Sequence, residues 1–135
     1  MNVDKVLMKL LKKSLRRQCV PVSAVIVYNN KIISKGYNLK EKTNNPLDHA
    51  EIIAIKKATT FLKTWKLNNC KLYVTMKPCK MCETVLKEVR IKEVCYWCDN
   101  KKEEAKNTNI NYVKTSKEQE TQYKKMLSEF FKKLR

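Results

Sequence analysis

Long apolar stretches are missing from this chain. No uninterrupted apolar run exceeds the five residues of 24-AVIVY-28, far short of the roughly 20 needed to cross a bilayer. The N-terminal MNVDKVLMKLLKK interrupts every candidate signal core with lysine and offers no small-residue cleavage site. It therefore reads as no secretory leader and predicts a cytoplasmic protein with no membrane partner. Acidic side chains are scarce, 13 against 30 basic ones, for a net charge of +17. That imbalance favours a polyanionic partner, because each cation near a phosphate can release a condensed counterion. Glycine and histidine occur once each, and lysine supplies 26 of the 30 basic residues. Adenine- and thymine-rich coding explains such a choice of residue types, and explains less well the excess of cations over anions, for which a merely soluble surface is the alternative to a polyanionic partner. Internal repeats and low-complexity segments are absent as well.

What is present suits one compact domain over residues 1–135, with 43% apolar residues to form a core. Six cysteines without an export signal point away from disulfides and toward metal binding. Val3, Val6, Leu7, Leu10, Leu11 and Leu15 recur at helical spacing between lysines and arginines, predicting an amphipathic helix docked on the core. The stretches 22-VSAVIVY-28 and 32-IISKGYN-38 flank Asn29 and Asn30 as a β-hairpin. A helix is expected from Asp48 to Lys63, a strand over 71-KLYVTM-76, and a helix carrying Cys82, Val85, Leu86 and Val89. A strand over 93-EVCYW-97, a loop from Asp99 to Asn111 and a short strand at 110-INYV-113 follow. Ser116 and Gln119 form a capping box for a last helix, with Tyr123, Met126, Leu127, Phe130, Phe131 and Leu134 on one stripe. A hairpin followed by alternating helices and strands predicts an α/β fold with a mixed sheet of about five strands and helices on both faces.

The single histidine opens a helix in 46-PLDHAEI-52, with a carboxylate two places on. On a regular helix His49 and Glu51 would point about 200° apart, so they can meet only at its open end. Asp48 is a good N-cap and would put His49 in the first turn. In 78-PCKMC-82, Pro78 suits a helix start, and Cys79 and Cys82 share one face of the first turn. Two such helix N-termini converging would gather one imidazole, two sulfurs and one carboxylate, with the helix dipoles favouring thiolate. His49, Cys79 and Cys82 would leave the fourth position of a tetrahedral zinc site open, as catalytic sites do. Glu51 could then take the proton of an activated water. A competing reading pairs Cys79 and Cys82 with Cys95 and Cys98 as a four-cysteine structural zinc module, leaving His49 and Glu51 unexplained.

The H-x-E and P-C-x-x-C pair resembles the signature of zinc-dependent nucleoside deaminases. Within that superfamily the chain is similar to bacterial tRNA adenosine deaminases over 20-VPVSAVIVYNNKII-33, 36-GYN-38, 46-PLDHAEI-52, 71-KLYVTMKPCKMC-82 and 130-FFKKLR-135. The resemblance implies a three-layer α/β/α cytidine-deaminase-like fold, a homodimer, and one Zn2+ per subunit on His49, Cys79 and Cys82. It implies Glu51 as the proton shuttle and Asn38 as a hydrogen-bonding partner of the target nucleoside. The implied reaction is hydrolytic deamination of adenosine to inosine at the wobble position of a tRNA anticodon stem-loop. A free nucleobase or nucleotide of the guanine or deoxycytidylate type is the alternative substrate. Histidine at position 49, where free-cytidine deaminases carry cysteine, argues against that branch. Glu51 argues against a catalytically silent subunit, and the length against an attached reductase domain. The chain departs from the family at Ser23 (usually glycine), Lys77 (usually glutamate), Glu83 and Thr84 (usually small) and 96-YWCDN-100. These differences lie largely outside the metal shell and bear on substrate recognition.

Overall fold

The structure is a computed structural model that describes residues 2–100, 109–115 and 117–134. Helix α1 (Val3–Arg16) is capped by Asn2, whose side chain accepts a hydrogen bond from the Lys5 amide at 3.1 Å. It buries Leu7, Leu10, Leu11 and Ser14, so its apolar stripe docks on the protein's own core. Strands β1 (Ser23–Tyr28) and β2 (Lys31–Tyr37) form the expected hairpin. Asn29 and Asn30 sit at φ 49° and 59°, the left-handed conformation that a two-residue turn demands and asparagine tolerates.

The remaining elements are α2 (Lys40–Thr43), α3 (Ala50–Leu62), β3 (Cys70–Met76), α4 (Lys80–Glu88), β4 (Glu93–Cys98), β5 (Asn111–Lys114) and α5 (Lys117–Lys133). The five strands run in the order β2-β1-β3-β4-β5. Pairing is antiparallel from β2 to β3 and parallel from β3 to β5. Alternate residues of the sheet feed two cores. Ala24, Ile26, Leu72, Val74, Val94 and Tyr96 pack with α3 and α4, while Val25, Val27 and Trp97 pack with α1 and Tyr123 of α5. The result is the three-layer α/β/α arrangement read from the sequence.

Helix α3 lies unusually close to the sheet, and the single glycine explains why. A Cβ on Gly36 of β2 would fall 2.3 Å from the Ala50 carbonyl oxygen and 2.9 Å from the Ala54 amide nitrogen. Ala50, Ala54 and Ala58 are fully buried at one-turn intervals along the same helix face. Ser34 adds a 2.8 Å hydrogen bond to the Ala54 carbonyl. Strand pairing sets Tyr37 opposite Ser23, Val74 opposite Ala24 and Cys98 opposite Met76, so the C-terminal ends of β2, β3 and β4 share one end of the sheet. The chains leaving β2 and β3 there lead into α3 and α4.

Three sequence expectations need correction. Helix α3 starts at Ala50 with His49 as its cap, not Asp48. Asp48 instead accepts hydrogen bonds from Thr43 and Asn45 in the preceding loop. Helix α4 likewise starts at Lys80 behind Cys79, so Cys79 is a cap and not a first-turn residue. The stripe on α5 is buried only at Tyr123. Phe131, and Leu134 just past the helix end, stand 48% and 68% exposed. Ser116 and most of the expected 99–111 loop lie outside the described residues.

Candidate active site

His49 and Cys79 are both N-cap residues with extended backbones, φ −73° and ψ 152° for His49 and φ −71° and ψ 172° for Cys79. Neither uses its side chain to cap its own helix. Each side chain instead stands over a helix mouth, and the two mouths face each other. His49 Nδ1 lies 3.8 Å from Cys79 Sγ and 3.5 Å from Cys82 Sγ. All three donor atoms fall within 4.8 Å of one another, the one such metal-ligating cluster among the described residues. Ligands at about 2.05 Å (nitrogen) and about 2.3 Å (sulfur) in tetrahedral geometry stand about 3.6 Å apart. The observed separations suit one ion held by this His–Cys–Cys set.

The electrostatics agree with that donor chemistry. The Cys79 thiol is pulled down to about 3 by hydrogen bonding from Cys82 and from His49. The Cys82 thiol is pushed up by its bond to Cys79 and by burial, and the His49 imidazole is raised by its bond to Cys79. Cys79 is thus the more acidic thiol of the pair. Glu51, in the first turn of α3, is 4% exposed. Burial pushes its carboxyl up to about 7, opposed by a backbone hydrogen bond and by His49, and its side chain also meets Cys82.

His49, Cys79 and Glu51 line a cleft of about 180 Å³, together with Asn38, Lys40, Glu41, Met76, Lys77 and Asn100. Asn38 is buried and its amide is largely engaged by the protein. Its Nδ2 donates to the Val20 carbonyl (3.0 Å) and Glu41 Oε1 (3.1 Å), and its Oδ1 accepts from the Lys40 amide (3.0 Å). One lone pair of Oδ1 is left for a ligand. Cys95 and Cys98 take no part in the cluster, which overturns the four-cysteine reading. Strand β4 carries Cys95 beside Tyr73, and Cys98 into the core under α1 and α5.

Sequence reasoning missed Lys40 and Glu41 in the cleft wall, because the four-residue α2 is too short to show a period. The family departures have partners here. Ser23 Oγ donates to the Leu7 carbonyl at 2.8 Å, tying β1 to α1. Lys77 Nζ sits 4.5 Å from the Tyr112 ring centroid, the Tyr112 hydroxyl donates to buried Glu83, and Glu83 pairs with Lys87 at 3.5 Å. Among the described residues no helix is long and apolar enough to cross a membrane.

Comparison with known proteins places this architecture. The model of the MafB19-like deaminase family matches residues 2–135. The tRNA-specific adenosine deaminase of Aquifex aeolicus is 38% identical over 143 aligned positions, covering 97% of this chain and 93% of that protein. The protein of the same name from Rickettsia typhi is 41% identical over 99 positions, covering 72% of this chain and 67% of its own length. Among solved structures, one from studies of A-to-I editing by tRNA:A34 deaminases at the wobble position of transfer RNA superposes with a TM-score of 0.72. It is 24% identical and covers 82% of this chain and 98% of that one, a likeness of fold. Guanine deaminase from Bacillus subtilis gives a TM-score of 0.67 at 27% identity, covering 95% of each chain. With the cytidine-deaminase-like fold and the His–Cys–Cys cluster behind it, the chain belongs to the MafB19-like deaminase family, alongside the tRNA-specific adenosine deaminases.

Proposed function

We propose that residues 1–135 form a single deaminase domain that hydrolyses adenosine to inosine at the wobble position of tRNA anticodons. Support comes from one arrangement: His49, Cys79 and Cys82 clustered at two facing helix N-termini, with buried Glu51 beside them on a shared cleft. His49, Cys79 and Cys82 hold one zinc ion, whose formal charge the two thiolates balance. Bound there, zinc supplies the Lewis acidity that makes water a usable nucleophile near neutral pH.

Glu51 does the proton work. Its carboxylate takes one proton from the attacking water and delivers it to N1 of the purine, then takes the second from the new C6 hydroxyl and gives it to the departing amine. Water adds at C6 and ammonia leaves. Burial keeps bulk water from intercepting either proton. Asn38 Oδ1, held by Lys40 and with a lone pair free, accepts a hydrogen bond from the nucleoside. A cleft of about 180 Å³ is below the roughly 300–1,000 Å³ of drug-sized pockets and suits one base turned out of its loop. The net charge of +17 suits an RNA ligand in the cytoplasm. Exposed Leu47, Phe61 and Trp65 offer apolar surface for homodimer pairing.

The likeness to guanine deaminase at 27% identity over 95% of the chain favours a second reading, a free purine base as substrate. Incubating zinc-loaded protein with an anticodon stem-loop carrying a wobble adenosine, and separately with guanine and free adenosine, decides between them. Inosine in the stem-loop is the expected result, and turnover confined to the small molecules contradicts it.

A further inference from the structure

Among the described residues, one cation that lines the cleft forms no direct ion pair. Lys77 lines the cleft, half-buried, immediately before Pro78 and the Cys79 cap, with its backbone amide fixed to the Cys98 carbonyl at 2.8 Å. Its ammonium stands over two tyrosine rings, 4.5 Å from the centroid of Tyr112 and 5.6 Å from that of Tyr96. Those rings are themselves anchored. Tyr112 donates to buried Glu83, and Tyr96 donates to Asp99 Oδ1 at 3.0 Å. Ring faces restrain a lysine without neutralising it or using its three N–H donors.

The described carboxylates nearby have closer partners, and Lys77 acts on Asp99 only as a neighbouring charge. Asp99 is held by Lys114 at 2.9 Å, Glu83 by Tyr112 and Lys87, and Glu41 by the Val20 amide at 2.9 Å and by Asn38 at 3.1 Å. Lys77 forms no ion pair with any described residue. Lys40, exposed, adds a second cation to the cleft wall.

From this geometry we propose that Lys77 is a phosphate-binding residue that makes the cleft select a phosphorylated nucleotide over a bare base or nucleoside. The inference rests on the deaminase reading of the cleft and deepens it. A base seated against Glu51 and His49 carries its sugar and phosphate toward the mouth, where an ammonium oriented by two tyrosine rings waits. The shared chemistry is a phosphate ester attached to the ribose of the target base, in RNA or in a free nucleotide.

The test uses zinc-loaded full-length protein, its Lys77→Met variant, which keeps the apolar stem, and Lys77→Arg, which keeps the charge. Calorimetric titration with adenosine 5′-monophosphate and with adenosine should show roughly tenfold tighter binding of the phosphorylated ligand by wild type. Lys77→Met should lose that preference and Lys77→Arg should keep it. On an anticodon stem-loop, Lys77→Met should lower the slope of log affinity against log salt by about 0.7, the loss of one phosphate contact. Loss of preference with an unchanged RNA slope assigns the phosphate to a free nucleotide, and loss of both assigns it to RNA. Wild type that prefers the monophosphate yet neither binds nor deaminates RNA refutes the tRNA reading and leaves Lys77 its role. Wild type that deaminates the stem-loop while Lys77→Met retains both preference and slope leaves the tRNA reading standing and overturns the proposal. Equal binding of both small ligands by wild type, with no change of slope in the variant, also overturns it and needs no folded variant for its first half.

Discussion

Replacing Gly36 by alanine adds one methyl group to the whole protein. That methyl would arrive 2.3 Å from the Ala50 carbonyl oxygen and 2.9 Å from the Ala54 nitrogen. Both neighbours are backbone atoms, so no rotamer change can relieve the clash. Reaching a contact of about 3.0 Å requires β2 and α3 to separate by about 0.7 Å, an overpacking that costs about 1–3 kcal/mol. The displaced end of α3 is the end that carries His49 and Glu51. A misplacement near 1 Å can cost on the order of 10²-fold in turnover. Gly36→Ala should therefore lower the urea midpoint, weaken metal retention and reduce deamination well beyond the stability loss. Ser34→Ala is the control, since it removes the 2.8 Å bond to Ala54 without pushing the helix, at about 1 kcal/mol, and should leave turnover nearly intact. Wild-type stability and activity in Gly36→Ala would refute the close-packing account of how α3 is seated.

Cys95→Ser and Cys98→Ser should each keep one zinc per chain, whereas His49→Ala and Cys82→Ala should lose it, read by metal analysis after gel filtration. Lys114 joins Asp99 and Glu120 at 2.9 Å each, and both carboxyls are held below the usual range chiefly by its hydrogen bonds. Depressed carboxyls contribute stability above their unfolded values and lose it as pH falls through the folded ones. The urea-midpoint gap between wild type and Lys114→Met should thus be full at neutral pH and shrink below about pH 4. A gap independent of pH would contradict the pairing.

Local chemistry made much of the fold legible. The Asn29–Asn30 pair announces a turn because few other residues accept positive φ, and the alternation of β1 and β3 feeds two cores because both faces of the sheet are covered. Both site helices start one residue later than their sequence suggests, for a physical reason. Asp48 has the right side chain for a cap, but Thr43 and Asn45 engage it, and His49 takes the cap position with its ring turned toward Cys79 and Cys82. No pattern in the sequence marks α2, nor the engagement of Asn38's amide hydrogens by Val20 and Glu41. Gly36 could be read from composition only as rare, and its necessity emerges when Ala50 is seen against it.

Glu51→Ala is the most direct measurement of the central claim. Zinc content and inosine formation in an anticodon stem-loop are measured on the same preparation of this variant. With the metal ligands intact and the proton carrier gone, the variant should bind one zinc and lose on the order of 10²–10⁴-fold in rate. A zinc-loaded Glu51→Ala protein that forms inosine as fast as wild type would contradict the account.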